Sequence, residues 1–141
     1  MIVIDTNIII YHLTAHPVFG PNARRLMMMV ESGEVEALSS MITYSEILTL
    51  PAKEKNHDLV ARYRALFLHY PHLKFVPVDA EIAHLAAVIR GENPRLKLMS
   101  AFILATASNR QVKALVTEDK HLKIPHSPMP VVTLGEYLGS L

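Results

Sequence analysis

Met1-Ile2-Val3-Ile4-Asp5-Thr6-Asn7 is the stretch whose reading decides the fold. Three consecutive β-branched residues, with nothing polar before Asp5, suit a short strand buried on both faces, as in the middle of a parallel sheet. In open parallel α/β sheets ligands bind beyond the carboxyl ends of the strands, so a carboxylate followed by Thr6 and Asn7 stands where chemistry usually happens. Asp, Thr and Asn are also favoured helix caps, and taken alone the cap is the simpler reading. Carboxylates at equivalent strand ends elsewhere in the chain would distinguish the two.

Working outward, Ile8 to Leu13 reads as a short helix after the cap signal, followed by a loop at His16-Pro17 and Gly20-Pro21. Ala23, Leu26, Met27 and Val30 recur at helical spacing up to Ser32-Gly33. A second strand covers Val35 to Ser39, and Thr43 precedes Glu46 at the spacing of a capping box, opening a helix that Pro51 should end. Leu59, Tyr63, Leu66, Phe67 and Tyr70 mark the next amphipathic helix, closed by Pro71. Lys74 to Val78 is a third strand ending at Asp79, and Ile82, Leu85, Ala86 and Ile89 stripe the helix after it. Leu96 to Ser108 is apolar almost all round and rich in alanine, which describes a central helix packed between other elements. Ala114 to Thr117 is a fourth strand running into Glu118-Asp119, Pro130 to Leu134 a fifth, and a short helix around Glu136 to Leu138 ends the chain. Strands alternating with helices predict an α/β fold of three layers, a parallel sheet of four to five strands covered on both faces, in one domain spanning residues 1–141.

Composition bounds the chemistry. With 141 residues, 50% of them hydrophobic and 19% charged, the chain suits one folded domain. No apolar run has the length of a membrane span and no signal peptide is evident, so the expected location is the cytoplasm. The absence of cysteine removes disulfides, thiolate nucleophiles and cysteine zinc sites, leaving any metal to oxygen or imidazole. None of the eight histidines falls in a zinc-binding pattern such as H-E-x-x-H. A net charge of +1 does not advertise nucleic-acid binding, which would need a local basic surface. Sparse aromatics and the lack of tryptophan do not advertise base stacking.

Asp5 and Asp119 each stand just beyond a short apolar strand, and Glu46 lies in the first turns of the helix after the second strand. Carboxylates converging from separate segments suit a hard divalent cation, because magnesium and manganese prefer oxygen ligands and retain waters. Singly, Glu46 is explained by the capping box and Asp119 by a turn; their coincidence is harder to explain that way.

With these residues in place, the chain resembles the PIN-domain family of nucleases, specifically the small VapC-like toxins of toxin-antitoxin pairs. The resemblance rests on V-I-D-T-N at 3–7, S-E-I-L at 45–48, L-K-L-M-S-A-F-I-L-A-T-A at 96–107 and L-V-T-E-D at 115–119, in that order. It implies that Asp5, Glu46 and Asp119 match three of four family acids and hold one or two Mg2+ or Mn2+ ions. Thr6, Asn7 and Thr117 match supporting polar positions. The fourth acid is replaced: Met99 and Ser100 stand where the family usually carries proline and aspartate. A neutral serine hydroxyl removes one negative charge, which should weaken metal binding or water activation. Ser100 also reads as a plain helix cap, and Glu118 as a compensating carboxylate. The activity implied is hydrolysis of RNA phosphodiesters, with Lys53, Lys55, Arg95, Lys97, Lys120 and His121 as candidate RNA contacts around the cleft. Solvated surface is the simpler reading of each of these. The resemblance further implies a cognate antitoxin partner and a homodimer. A degenerate PIN module that binds RNA or an antitoxin without cutting is the alternative. A phosphatase-like domain using Asp5 as phosphate acceptor is weaker, since its D-x-D pattern fails at Asn7.

Overall fold

The computed structural model describes residues 1–141. Five strands, β1 (Ile2–Ile4), β2 (Ala37–Ser40), β3 (Leu73–Val76), β4 (Leu115–Val116) and β5 (Val131–Val132), form one sheet in the order β3-β2-β1-β4-β5, every pair parallel. The helices are α1 (Thr6–Leu13), α2 (Gly20–Glu31), α3 (Met41–Lys53), α4 (His57–Leu68), α5 (Ala80–Glu92), α6 (Leu98–Asn109) and α7 (Leu134–Gly139), with a 3-10 turn at Lys120–Leu122. None of them is long and apolar enough to cross a membrane.

The apolar strands feed two cores because successive side chains point to opposite faces of a sheet. Ile2, Ile4, Ala37, Ala114 and Val116 pack on one face with Ile8, Leu26, Met27, Val30, Ile47, Phe67 and Leu138, so α1 to α4 and α7 form one outer layer. Val3, Leu38 and Leu115 join Ile82, Ala86, Ile103 and Leu104 on the other face, where α5 and α6 form the second. This is the expected three-layer α/β architecture. Every residue of α6 from Ala101 to Ala107 except Phe102 is buried, which accounts for its alanine content and for the lack of a polar face.

Several boundaries differ from expectation for identifiable reasons. Pro51 lies inside α3 and does not end it; the helix runs two residues further before Glu54. Thr43 and Glu46 form no capping box. Ser40 caps α3 by accepting from the Ile42 amide, while Thr43 is fully buried and turned inward. Helix α6 starts at Leu98, two residues late, with Lys97 as its cap residue, so Ser100 lies in the first turn and is not the cap. The fifth strand is only two residues long because Thr133 caps α7 in a capping box with Glu136. Helix α2 does stop near Ser32-Gly33, where Gly33 takes φ 82° and the His72 imidazole lies so close that a Cβ would stand 2.9 Å from Nε2.

Candidate active site

Because all five strands are parallel, β1, β2 and β4 end at one edge of the sheet, and the segments leaving them carry Asp5, Glu46 and Asp119 to a common cleft. This cleft has a volume of about 480 Å³, and its walls include Asp5, Thr6, Asn7, Glu46, Ser100 and Asp119. Tyr11 also lines it, one helical turn beyond Asn7 on α1. That contact was not anticipated, although the four-residue spacing along a helix is its signal.

Asp5 is the most constrained of the acids. It does cap α1, its Oδ1 accepting from the Thr6 amide at 2.7 Å. The other oxygen, Oδ2, accepts from the Thr117 hydroxyl at 2.7 Å and from Asn7 Nδ2 at 3.4 Å. Cap and cleft residue are therefore one and the same group. Burial pushes the Asp5 carboxyl up to about 6, against the lowering effect of the Thr117 and Thr6 hydrogen bonds, and the Glu46 and Asp119 charges push it the same way.

The supporting residues tie the strand ends together. Thr117 Oγ1, which donates to Asp5, accepts from the Asp119 amide at 2.9 Å and from Asn7 Nδ2 at 3.2 Å. On the other side the Thr6 hydroxyl lies 2.7 Å from Glu46 Oε1 and 2.9 Å from Thr43 Oγ1. With a single proton it donates to the carboxylate and accepts from Thr43. Thr43 is thus a buried support for the site and not a cap of α3. Ser39 donates at 2.7 Å to the Ile4 carbonyl and fixes the end of β1 against β2.

Asp119 is held less firmly. Its Oδ1 accepts from the His121 amide and meets His121 Nδ1, both at 2.9 Å, so one of its oxygens is engaged in its own turn. No group of three aspartate, glutamate or histidine side chains is close enough to enclose a metal ion. Magnesium does not require one, since it is commonly held by one or two carboxylates and keeps several waters. Glu118, read as a compensating acid, is directed elsewhere: its Oε1 accepts from the Leu134 amide at 2.8 Å, at the start of α7.

Of the candidate RNA contacts, Lys97 lines the carboxylate cleft. Arg95, Lys120 and His121 line an adjoining groove together with Lys123, which sequence reasoning missed. Lys53 and Lys55 line neither.

The fold has counterparts among solved structures. The chain is similar to a toxin-antitoxin complex from Klebsiella pneumoniae at 23% identity over 95% of this chain and 98% of that one, with a TM-score of 0.69. VapBC2 from Rickettsia felis, bound to a DNA fragment from its promoter, matches at 19% identity over 94% and 98% of the two chains, with a TM-score of 0.73. VapC20 from Mycobacterium tuberculosis, a toxin that cleaves the sarcin-ricin loop, matches at 17% identity over 85% and 91%, with a TM-score of 0.66. At such identities the likeness is one of fold. No curated protein matches the chain. The PIN-domain family model matches residues 2–125, and the chain belongs to the PIN-domain family.

Proposed function

We propose that the chain is an Mg2+- or Mn2+-dependent endoribonuclease, the toxin of a toxin-antitoxin pair working in the cytoplasm as a homodimer, with activity reduced by Ser100. The observation that carries this reading is the meeting of Asp5, Glu46 and Asp119 around one cleft, with Asp5 buried at its base. Hydrogen-bonded carboxylates that repel one another are a donor set suited to a hard cation. When bound there, the cation supplies charge neutralisation at the phosphoryl oxygens and acidifies water for attack on phosphorus.

The protein's own residues prepare the site. Asp5 and Glu46 would hold the ion, directly or through water, and Asp119 would join them. Thr117 and Thr6 keep a proton aimed at Asp5 and Glu46 respectively, leaving the remaining lone pairs free for the ion or its waters. Ile10 and Tyr11 on α1 and Leu98, Met99 and Ile103 on α6 supply the apolar parts of the cleft wall. Ser100 lies on the α6 side, where an acid would raise the negative charge of the cleft.

The neutral Ser100 favours a second reading, a PIN module that engages RNA or an antitoxin without cleavage. The decisive experiment is cleavage of a mixed RNA pool with Mg2+ or Mn2+ by the chain itself, by Ser100→Asp and by Asp5→Asn. Activity in the chain that disappears in Asp5→Asn supports the nuclease. Activity only after Ser100→Asp makes the binding module the better reading.

A further inference from the structure

Two short segments form the groove beside the carboxylate cleft, and they share one local design. In Arg95-Leu96-Lys97 the leucine is 6% exposed between two exposed cations; in His121-Leu122-Lys123 the leucine is 1% exposed between an exposed imidazole and an exposed lysine. Each buried leucine anchors its segment in the core beneath α5 and α6 and turns the flanking basic groups outward. Arg90 Nε donates to the Leu96 carbonyl at 3.1 Å and fixes the first segment further.

The groove measures about 480 Å³, and Arg95, Lys120 and Lys123 outnumber its single acid, Glu92. Arg95 and Lys120 form no salt bridge, and Lys123 reaches Glu136 only at 3.4 Å. Both walls continue into the cleft, one through Lys97 and the other through Asp119, whose Oδ1 is bonded to His121. Groove and cleft thus neighbour each other at two points of the chain, Leu96–Lys97 and Asp119–Lys120, with mostly cations lining one and carboxylates the other. No aromatic side chain lines the groove apart from the His121 imidazole, so it has no phenyl or phenol face for stacking.

We propose that this groove is a phosphate track that holds one flank of a single-stranded nucleic acid by its backbone, without reading base or sugar, and leads the strand to the carboxylate cleft. The proposal rests on the nuclease reading for its substrate class, but it concerns binding and is testable without cleavage. Arg95 and Lys120 carry most of the contact, because their charges are uncompensated.

The test is fluorescence anisotropy of labelled 12-nucleotide RNA and DNA of mixed sequence, titrated with the full chain in EDTA over a range of salt. Arg95→Ala combined with Lys120→Ala should weaken binding on the order of tenfold at 100 mM salt and flatten the logarithmic salt slope by about 0.7 per lost contact. RNA and DNA should weaken in parallel. Arg95→Lys should retain most of the affinity, and Arg62→Ala with Arg64→Ala, which removes the same charge from exposed positions of α4 outside groove and cleft, should leave binding unchanged. Equal losses in both double variants, or none in either, would overturn the track, and the latter result would leave the groove to an acidic peptide. A loss confined to RNA would overturn backbone-only contact. Groove-dependent binding without metal-dependent cleavage would mean the track stands and the nuclease reading fails; cleavage with an unaltered KM in the groove variant would mean the reverse.

Discussion

Thr117 donates its hydroxyl proton to Asp5 Oδ2 at 2.7 Å while accepting the Asp119 amide at 2.9 Å, so one side chain links two carboxylate-bearing strand ends. Thr117 is 1% exposed and sits at the end of β4, where an apolar residue would continue the strand equally well. Replacing it by valine keeps the shape and removes the proton. Thr117→Val should destabilise the fold by about 1–3 kcal/mol, since it leaves a buried acceptor and the Asp119 amide without their partner. Thr117→Ser should recover most of that loss, as read by urea denaturation.

Asp5 sets a pH dependence with a definite sign. Its carboxyl titrates near 6 in the folded chain and near 3.8 in the unfolded one. Below about pH 4 both states hold the proton and the residue imposes no penalty. Between pH 4 and 6 the unfolded chain releases its proton while the folded chain keeps it, so stability falls as pH rises, by about 3 kcal/mol in all as an order of magnitude. Asp5→Asn removes this titration at a fixed cost, since its amide replaces one of two accepting oxygens, so its Tm relative to the parent chain in EDTA should rise as pH goes from 4 to 7.5. A constant difference across that range would mean the penalty has another source.

A divalent cation should reverse the same penalty. Mg2+ or Mn2+ at about 100 times its dissociation constant stabilises a protein that binds it only when folded by about 2.7 kcal/mol, several degrees in Tm. Calorimetry should show this upward shift for the parent chain and little of it for Asp5→Asn. Ser100→Asp should bind the ion more tightly than the parent, because it adds a carboxylate to the cleft wall.

Glu118 belongs to the architecture of the far edge of the sheet. Its bond to the Leu134 amide secures the first turn of α7, whose Leu134 and Leu138 are buried in the core. Glu118→Ala should cost about 1 kcal/mol of stability and leave metal binding unchanged, as measured by urea denaturation and calorimetric titration.

The layered fold was legible because burial leaves a record in residue type. Ile2-Val3-Ile4 and the apolar run before Thr117 are buried on both faces, and strands of that kind read plainly. The cleft acids were legible through their position after those strands. What the sequence concealed was which of several competent polar groups would win each bond. Ser40 and Thr43 both offer a hydroxyl near the start of α3, and only the burial of Thr43 against Thr6 decides between them. Glu118 and Asp119 are adjacent carboxylates, and the approach of α7 turns one to the helix while the other lines the cleft. Lys123 escaped notice because its relation to Arg95 exists only once the 3-10 turn has formed.

The central place of β1 has a temporal consequence. Its partner β4 lies more than a hundred residues away along the chain, and the Asp5 to Thr117 bond spans 112 positions. Closing so long a loop is slow compared with forming a helix, and a chain emerging from its N-terminus can build β1, β2 and β3 long before β4 is synthesised. During that interval Asp5 has no Thr117 and no Asp119. The cleft therefore forms only after β4 has paired with β1, and a copy cut short before Thr117 lacks the Asp119 side of it.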